Sequence, residues 1–369
     1  MNWQSSGTTH HMSIGQPHAM YACCGMVSTR GATASWVCAL LVTATACAPA
    51  VSSLAPSVPP CLGGGPNGAI RWIAPSGPGD QARTREGCES VGPVALTSAA
   101  AHVPNHGVGT LFVISWNVGI GHGHVDKLVQ QLTEEERRAD RPKPDFILLL
   151  QEAYRSSSAS RRRDVRSIAA DLDLNLAYVP SMPNGRSDRT PRGDDRGNAI
   201  LSTLPLREIT AIELPLVRQR RVAVVARVDV DGSPLTVVSV HRDTRRELFS
   251  GSVFSGPPSR ERQAAALAEA LAYVDTHGPI IIGGDFNSVG GVREPAIRLM
   301  ERSFARLQCG NPITQKWGYA LDYVFASDPM IVEGCSRVDG RYGSDHHPLM
   351  ARVSRRILVR PMPRGAPRR

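Results

Sequence analysis

Asp145-Phe-Ile-Leu-Leu-Leu-Gln-Glu152 puts five consecutive apolar residues directly before two polar ones, and it decides the fold class. An apolar run this short, opened by Pro142 and Pro144, reads as a strand buried on both faces. Glu152 stands at its carboxyl end. The pattern recurs in both directions along the chain. Leu111-Phe-Val-Ile-Ser-Trp116 ends in Asn117, Leu235-Thr-Val-Val-Ser-Val240 in His241, and Pro279-Ile-Ile-Ile-Gly283 in Gly284-Asp285-Phe286-Asn287. Polar residues at the carboxyl ends of neighbouring strands converge on one crevice. Chance would scatter them across loops.

Helical spacing at Val125, Leu128, Val129 and Leu132 predicts a helix over 125–138 that stops before Pro142. Further helices are expected over 161–172 and 260–274, and further strands over 176–180, 197–202, 222–230, 320–325 and 349–353. Asp231-Gly232 is a hairpin turn. Strands mixed with helices, some hairpin-linked, predict an α/β fold with mixed sheets. No GxxxxGK[ST] loop occurs, and Gly119-Ile-Gly-His-Gly123 lacks the spacing of a dinucleotide fingerprint.

The chain has 369 residues, 41% of them hydrophobic and 20% charged, as in a globular protein. Its net charge of +9 is uneven. Residues 355–369 hold six arginines and no acid, so subtracting them leaves +3 on the rest. Only Lys127, Lys143 and Lys316 are lysines. Arginine's planar fork suits phosphate, although compositional bias explains the excess equally well. Residues 1–47 carry an apolar run, 36–42, after Arg30, closed by Ala44-Thr-Ala-Cys47. This reads as a secretory signal, too short to span a membrane, with Met20 or Met26 as alternative starts. Its end resembles a bacterial lipobox, without the usual Leu three residues before Cys47. The expectation is an exported protein, secreted or held at a bacterial surface through a lipidated Cys47. Residues 48–107, rich in Pro, Gly and Ser, read as a disordered linker. Residues 108–354 read as the catalytic domain, and 355–369 as a basic tail. Without any CxxC pair, the cysteines do not read as a zinc ribbon. On export, Cys61–Cys88 and Cys309–Cys335 are expected disulfides; otherwise they are buried thiols.

The chemistry follows from the residue types. A hard cation takes oxygen ligands, one or two carboxylates among them. Glu152 offers a carboxylate and Asn117 a carbonyl oxygen, while Asp345 either binds a second ion or shares the first. His346 next to Asp345 is a candidate base, with Asp322 fixing its tautomer. His241 and Asn287 donate to phosphoryl oxygens, and Asp285 aligns water or protonates the leaving oxygen. His347 reads as structural, and His122 and His124 as solvated loop residues.

The set Trp116-Asn117, Gln151-Glu152, Gly197-Asn-Ala-Ile-Leu-Ser202, Val240-His241, Gly284-Asp-Phe-Asn287, Leu321-Asp-Tyr323 and Ser344-Asp-His346 resembles the endonuclease/exonuclease/phosphatase superfamily, the DNase I-like fold. The resemblance covers residues 109–354. It implies a four-layer αββα sandwich, two mixed β-sheets packed face to face and flanked by helices. It implies Mg²⁺, with Mn²⁺ or Ca²⁺ as alternatives, held chiefly by Glu152 with Asn117 beside it. It implies His346 oriented by Asp322, and His241, Asp285 and Asn287 around the scissile phosphate. Arg196, Asn198 and Arg221 are candidate phosphate contacts. Two positions depart from the pattern. Arg242 follows His241 where many relatives are hydrophobic, and Tyr154-Arg155 stands where some nucleases place Arg at the first position.

The implied function is phosphodiester hydrolysis by a monomer, of the nuclease type, on DNA or RNA. The alternatives are a sphingomyelinase, an inositol-phosphate phosphatase, or a non-catalytic module binding nucleic acid or anionic lipid. Arg186, Arg189, Arg192, Arg218 and Arg220 are further candidates to track a polyanion, offset by Asp188, Asp194 and Asp195. Phe249 and Phe254 are thin support for a membrane-facing surface.

Overall fold

The computed structural model describes residues 61, 70–74, 78–99, 109–156, 162–185, 193–216, 219–244, 256–274 and 278–355. The leader with Cys47, the tail from 356 on, and Arg186, Asp188, Arg189, Arg192, Arg218, Phe249 and Phe254 lie outside the described residues. In chain order the elements are β1 (Arg71–Ile73), α1 (Pro78–Glu89), β2 (Ala95–Thr97), β3 (Leu111–Asn117), α2 (Val125–Arg138), β4 (Asp145–Arg155), α3 (Val165–Asp171), β5 (Asn175–Pro183), β6 (Asp195–Ser202) and β7 (Arg207–Glu213). There follow β8 (Val222–Val230), β9 (Ser233–His241), α4 (Gly256–Tyr273), β10 (Ile280–Asp285), α5 (Pro295–Glu301), β11 (Ala305–Arg306), β12 (Asp322–Ala326), β13 (Val332–Arg337) and β14 (Leu349–Val353).

The strands form two sheets of seven, ordered β1-β7-β8-β9-β10-β12-β11 and β13-β14-β3-β4-β6-β5-β2. Side-chain alternation along each strand builds the layers. Leu111 and Val113 of β3 and Ile147 and Leu149 of β4 pack against Val222, Val224, Val237 and Ile281 of the other sheet. Their neighbours Phe112, Ile114, Phe146 and Leu148 face outward, under Val125, Leu128 and Leu132 of α2 and Val165 and Ile168 of α3. On the far side, Ala223, Val225, Val238 and Ile282 lie under Ala264 and Leu267 of α4 and Ile297 and Met300 of α5. The result is the expected αββα sandwich. Both faces of each sheet are covered, so its strands read as unbroken apolar runs.

The linker expectation for 48–107 fails over 70–99, and the folded domain begins before residue 108. β1 pairs parallel with β7 and β2 antiparallel with β5, so this segment supplies an edge strand to each sheet. Ile70, Cys88, Val91 and Val94 are buried in the inter-sheet core. Strands of three residues are too short to show a period, and the surrounding Pro and Gly masked them. The cysteines pair as expected on export: Cys61 with Cys88, and Cys309 with Cys335. β7 and β13 were not expected. Both are mostly polar along part of their length because they lie near a sheet edge.

Candidate active site

Strand register assembles the centre. His241 of β9 pairs with Asp285 of β10, and Asp285 with Asp322 of β12, so three polar residues form a row across neighbouring strands. The facing sheet contributes Asn117, whose Nδ2 donates to Asp285 Oδ2 at 2.9 Å. The loop before β14 brings His346, whose Nδ1 lies 2.7 Å from Asp322 Oδ2. That loop is held from β3. Trp116 Nε1 donates to the His346 carbonyl at 3.0 Å, and Ser344 Oγ donates to the Asn117 carbonyl at 2.6 Å. Ser344 Oγ in turn accepts from His346 N at 3.1 Å.

Asp285 is the hub. Besides Asn117, its Oδ2 has His241 Nε2 at 3.5 Å and His346 Nε2 at 3.9 Å. Its Oδ1 accepts from Asn287 N at 2.8 Å. Asn287 adopts a left-handed backbone with φ of 50° and donates Nδ2 to the Arg242 carbonyl at 2.9 Å. Donor atoms of Asp285, Asp322 and His346 all lie within 4.8 Å of one another, and all three residues are buried.

This crowding sets the protonation states. Burial, reinforced by the negative charge of Asp322, pushes the Asp285 carboxyl up to about 7. His346 and the hydrogen bonds from Asn117 and Asn287 oppose the shift without reversing it. Burial alone would lower His346, but Asp322, by charge and hydrogen bond, and then Asp285 push it up to about 10. His241 is held well below its ordinary value by burial and by the nearby positive charges of Arg221, His346 and Arg196. At neutral pH one histidine is therefore an imidazolium and the other a neutral ring.

Glu152 is not one of the three residues whose donor atoms converge. The β4–β6 pairing shifts register between Leu150 and Ala153, and Glu152 takes a positive φ of 52°. This bulge gives the two polar residues different environments. Gln151 turns inward, donating to the Leu149 carbonyl at 2.8 Å and to Ser239 Oγ at 3.2 Å. Glu152 is half-buried, and among the described residues no hydrogen bond or ion pair engages its carboxylate. A half-shielded carboxylate without a protein partner suits a hard cation. Asn117 Oδ1 accepts from Gly119 N at 2.9 Å and keeps a second lone pair. Asp345 is half-buried, and its Oδ2 accepts from Gln315 Nε2 at 3.2 Å.

Of the candidate phosphate contacts, Asn198 is committed to the wall of the site: its Nδ2 donates to the Val222 carbonyl at 2.6 Å. Arg221 is buried, 3.4 Å from Asp243 Oδ1, with Nη2 donating to Gln219 Oε1 at 2.9 Å. Arg196 is half-buried, with its own contacts. His347 is fixed by the Val338 carbonyl at 3.0 Å from Nδ1, and His122 is exposed. Sequence reasoning missed Ser344 as a support, and also Thr314, whose Oγ1 accepts from Asp322 N at 3.2 Å. A serine or threonine in a loop carries no signal until its partners are known.

A sandwich with two mixed sheets and a buried Asp-Asp-His centre at its strand ends is the framework of metal-dependent phosphoesterases. The Endonuclease/Exonuclease/phosphatase family model matches residues 114–346, and the chain belongs to that family. Its members are mostly hydrolases acting on phosphoesters, and they use divalent metals. None of the curated proteins compared with the chain matches it. Among solved structures, the chain is similar to the endonuclease/exonuclease/phosphatase from Beutenbergia cavernae (19% identity, 67% of this chain and 72% of that one, TM-score 0.49). It is similar to the human Nocturnin catalytic domain (18%, 66% and 94%, TM-score 0.46). It is also similar to Sphingomyelinase C from Streptomyces griseocarneus (15%, 66% and 99%, TM-score 0.45).

Proposed function

We propose that the chain hydrolyses a phosphodiester with the help of a divalent metal, in the manner of a nuclease. The observation that carries this reading is Asp285 Oδ2, which has Asn117 at 2.9 Å and two histidines at 3.5 Å and 3.9 Å around it. Glu152, adjoining Gln151, which pairs with Asn117 across β3 and β4, would hold the metal, with Asn117 and Asp345 as its further ligands. Mg²⁺ bound there supplies charge neutralisation at the phosphate, and Mn²⁺ or Ca²⁺ are alternative occupants.

The chain's own residues do the rest. Asp322 keeps the proton of His346 Nδ1 in place, so Nε2–H points toward Asp285 and the substrate. Because His346 is pushed up to about 10, it serves as a donor to a phosphoryl oxygen rather than as a base. Asp285, at about 7, is the better base: as it takes a proton from the attacking water, the new phosphorus–oxygen bond forms, the bond to the leaving group breaks, and the leaving oxygen departs as an oxyanion that takes its proton from solvent. Asn117 and Asn287 N hold its two oxygens in position. Neutral His241 donates one ring N–H to a second phosphoryl oxygen. The two disulfides fit an exported protein.

The test is hydrolysis of bis(p-nitrophenyl) phosphate by the full chain with Mg²⁺, Mn²⁺, Ca²⁺ or EDTA, beside the His346→Ala variant. Metal-dependent release of nitrophenol, abolished in the variant, is expected. Equal rates in wild type and variant would remove His346 from catalysis, and no hydrolysis under any metal would favour a binding module. Parallel incubations with plasmid DNA, RNA, sphingomyelin and inositol phosphates separate the substrates.

A further inference from the structure

Three of the six exposed large hydrophobic residues among the described residues lie on one short segment. They are Trp317 at 70% exposure, Ile313 at 43% and Tyr319 at 41%. The segment is a tight turn: Thr314 N and Gln315 N both donate to the Tyr319 carbonyl at 3.0 Å, and Gly318 N donates to the Gln315 carbonyl at 3.0 Å. Gly318, with φ of 89°, takes the left-handed conformation the turn needs. Trp317 N donates to Gln315 Oε1 at 2.9 Å, so the tip is braced from within.

The foot of this turn is built into the catalytic centre. Gln315 pairs with His346 as an isolated bridge, and Lys316 N donates to the Asp345 carbonyl at 2.9 Å. The Thr314 carbonyl accepts from His347 N at 2.7 Å. An exposed indole thus stands two residues beyond Gln315, the bridge partner of His346. Two cations lie against the segment, Lys316 and Arg337, the latter also donating Nη2 to Asp339 Oδ1 at 3.1 Å. Lys316 Nζ lies 4.6 Å from the Trp317 ring centroid, and Arg337 Nη1 donates to the Ile313 carbonyl at 2.8 Å.

We infer that Trp317, backed by Lys316, is a stacking platform for an unpaired base of single-stranded nucleic acid, whose neighbouring phosphodiester is thereby presented to His346. This rests on the phosphodiesterase reading. An open aromatic face interleaved with cations is the pattern that binds single strands, in which bases offer free faces and phosphates meet the charge. A duplex has its bases stacked on one another and offers no such face. A membrane-inserting tip needs contiguous apolar surface, whereas here Thr314, Gln315 and Lys316 stand between Ile313 and Trp317, and Gly318 between Trp317 and Tyr319.

The test is fluorescence anisotropy of a labelled single-stranded oligonucleotide of about 12 nucleotides, long enough for one such groove. It is titrated with the full chain in EDTA, so that binding is read without hydrolysis. Trp317→Ala is expected to weaken binding about tenfold, the loss of one stacked base, and Trp317→Phe to recover most of it. A fully abasic oligonucleotide, with phosphates but no bases, is expected to bind wild type and Trp317→Ala alike. Equal affinity of the two proteins for the base-bearing strand, or no binding by wild type, overturns the inference. So does association of wild type, but not Trp317→Ala, with phosphatidylcholine–sphingomyelin vesicles. None of these results bears on bis(p-nitrophenyl) phosphate, whose hydrolysis tests the underlying reading separately.

Discussion

Asp322 Oδ2 meets His346 Nδ1 at 2.7 Å, with both side chains almost wholly shielded from water. The pair orients the ring and holds its charge. Asp322→Asn keeps the shape and removes the charge. The expected result is a fall in kcat by roughly 10²- to 10⁴-fold with KM little changed, the span of a positioned proton donor. Steady-state kinetics on bis(p-nitrophenyl) phosphate measure it. A change below threefold would remove the pair from the mechanism.

Glu152 is half-buried, and no hydrogen bond or ion pair engages its carboxylate among the described residues. Glu152→Gln removes the charge and leaves the bulge. The Mg²⁺ concentration for half-maximal activity is expected to rise by about 10-fold or more. Wild type should also gain melting temperature as Mg²⁺ is added, since the ion binds only the folded chain. The variant should not.

Gly283 faces the opposite sheet. A Cβ there would lie 2.6 Å from Ser115 Cβ and 2.9 Å from a Leu149 methyl. Gly283→Ala therefore pushes the sheets apart two residues from Asp285. The expected loss is about 1–3 kcal/mol of stability, typical of overpacking. Activity should fall further than stability, because the 2.9 Å Asn117–Asp285 bridge crosses that gap. Urea unfolding beside kinetics separates the two effects.

The Cys309–Cys335 disulfide joins the loop after β11 in one sheet to β13 in the other, across 26 positions of sequence. Closing a loop of that length is worth about 3 kcal/mol. The double serine variant should melt lower by several degrees. A wild type reduced at this bond should match it, and an unchanged melting temperature would mean that the bond adds nothing to the fold.

Glu136 of α2 accepts from Arg141 at 2.6 Å and 2.7 Å, from Thr110 Oγ1 at 2.6 Å and from Arg352 at 3.2 Å. The hydrogen bonds from Arg141, then Thr110 and the charge of Arg352, outweigh burial and hold its carboxyl down from 4.5 to about 2. A depressed carboxyl stabilises the fold fully above pH 4.5, and the contribution is lost as pH falls toward 2. Glu136→Gln should cost about 1–3 kcal/mol at pH 7, as for hydrogen bonds to a charged group. The gap should narrow below pH 4.5 and close near pH 2 in denaturant titrations. A gap independent of pH would contradict this account.

The strands were legible because both faces of each sheet are covered, which turns β3, β4 and β10 into unbroken apolar runs. The polar residue ending each run followed at once: Asn117, Glu152, His241 and Asp285. The edge strands β1 and β2 were not legible, since three residues carry no period. Nor were Ser344, Thr314 and Gln315, whose meaning lies in partners up to 227 positions away.

The amino-acid sequence by itself determined the mixed α/β class and the identity of the polar residues at the strand ends, while the four layers came from the family resemblance those residues carry. A local apolar pattern and a local residue type are enough for that. Only the tertiary structure decided how those residues divide. Strand register placed His241, Asp285 and Asp322 in one row, and sheet packing put Asn117 against Asp285. A bulge gave Gln151 and Glu152 different environments. Shared burial then made Asp285 the higher-than-usual carboxyl and His346 the charged ring. Protonation depends on distances between groups and on excluded water, and neither is written along the chain.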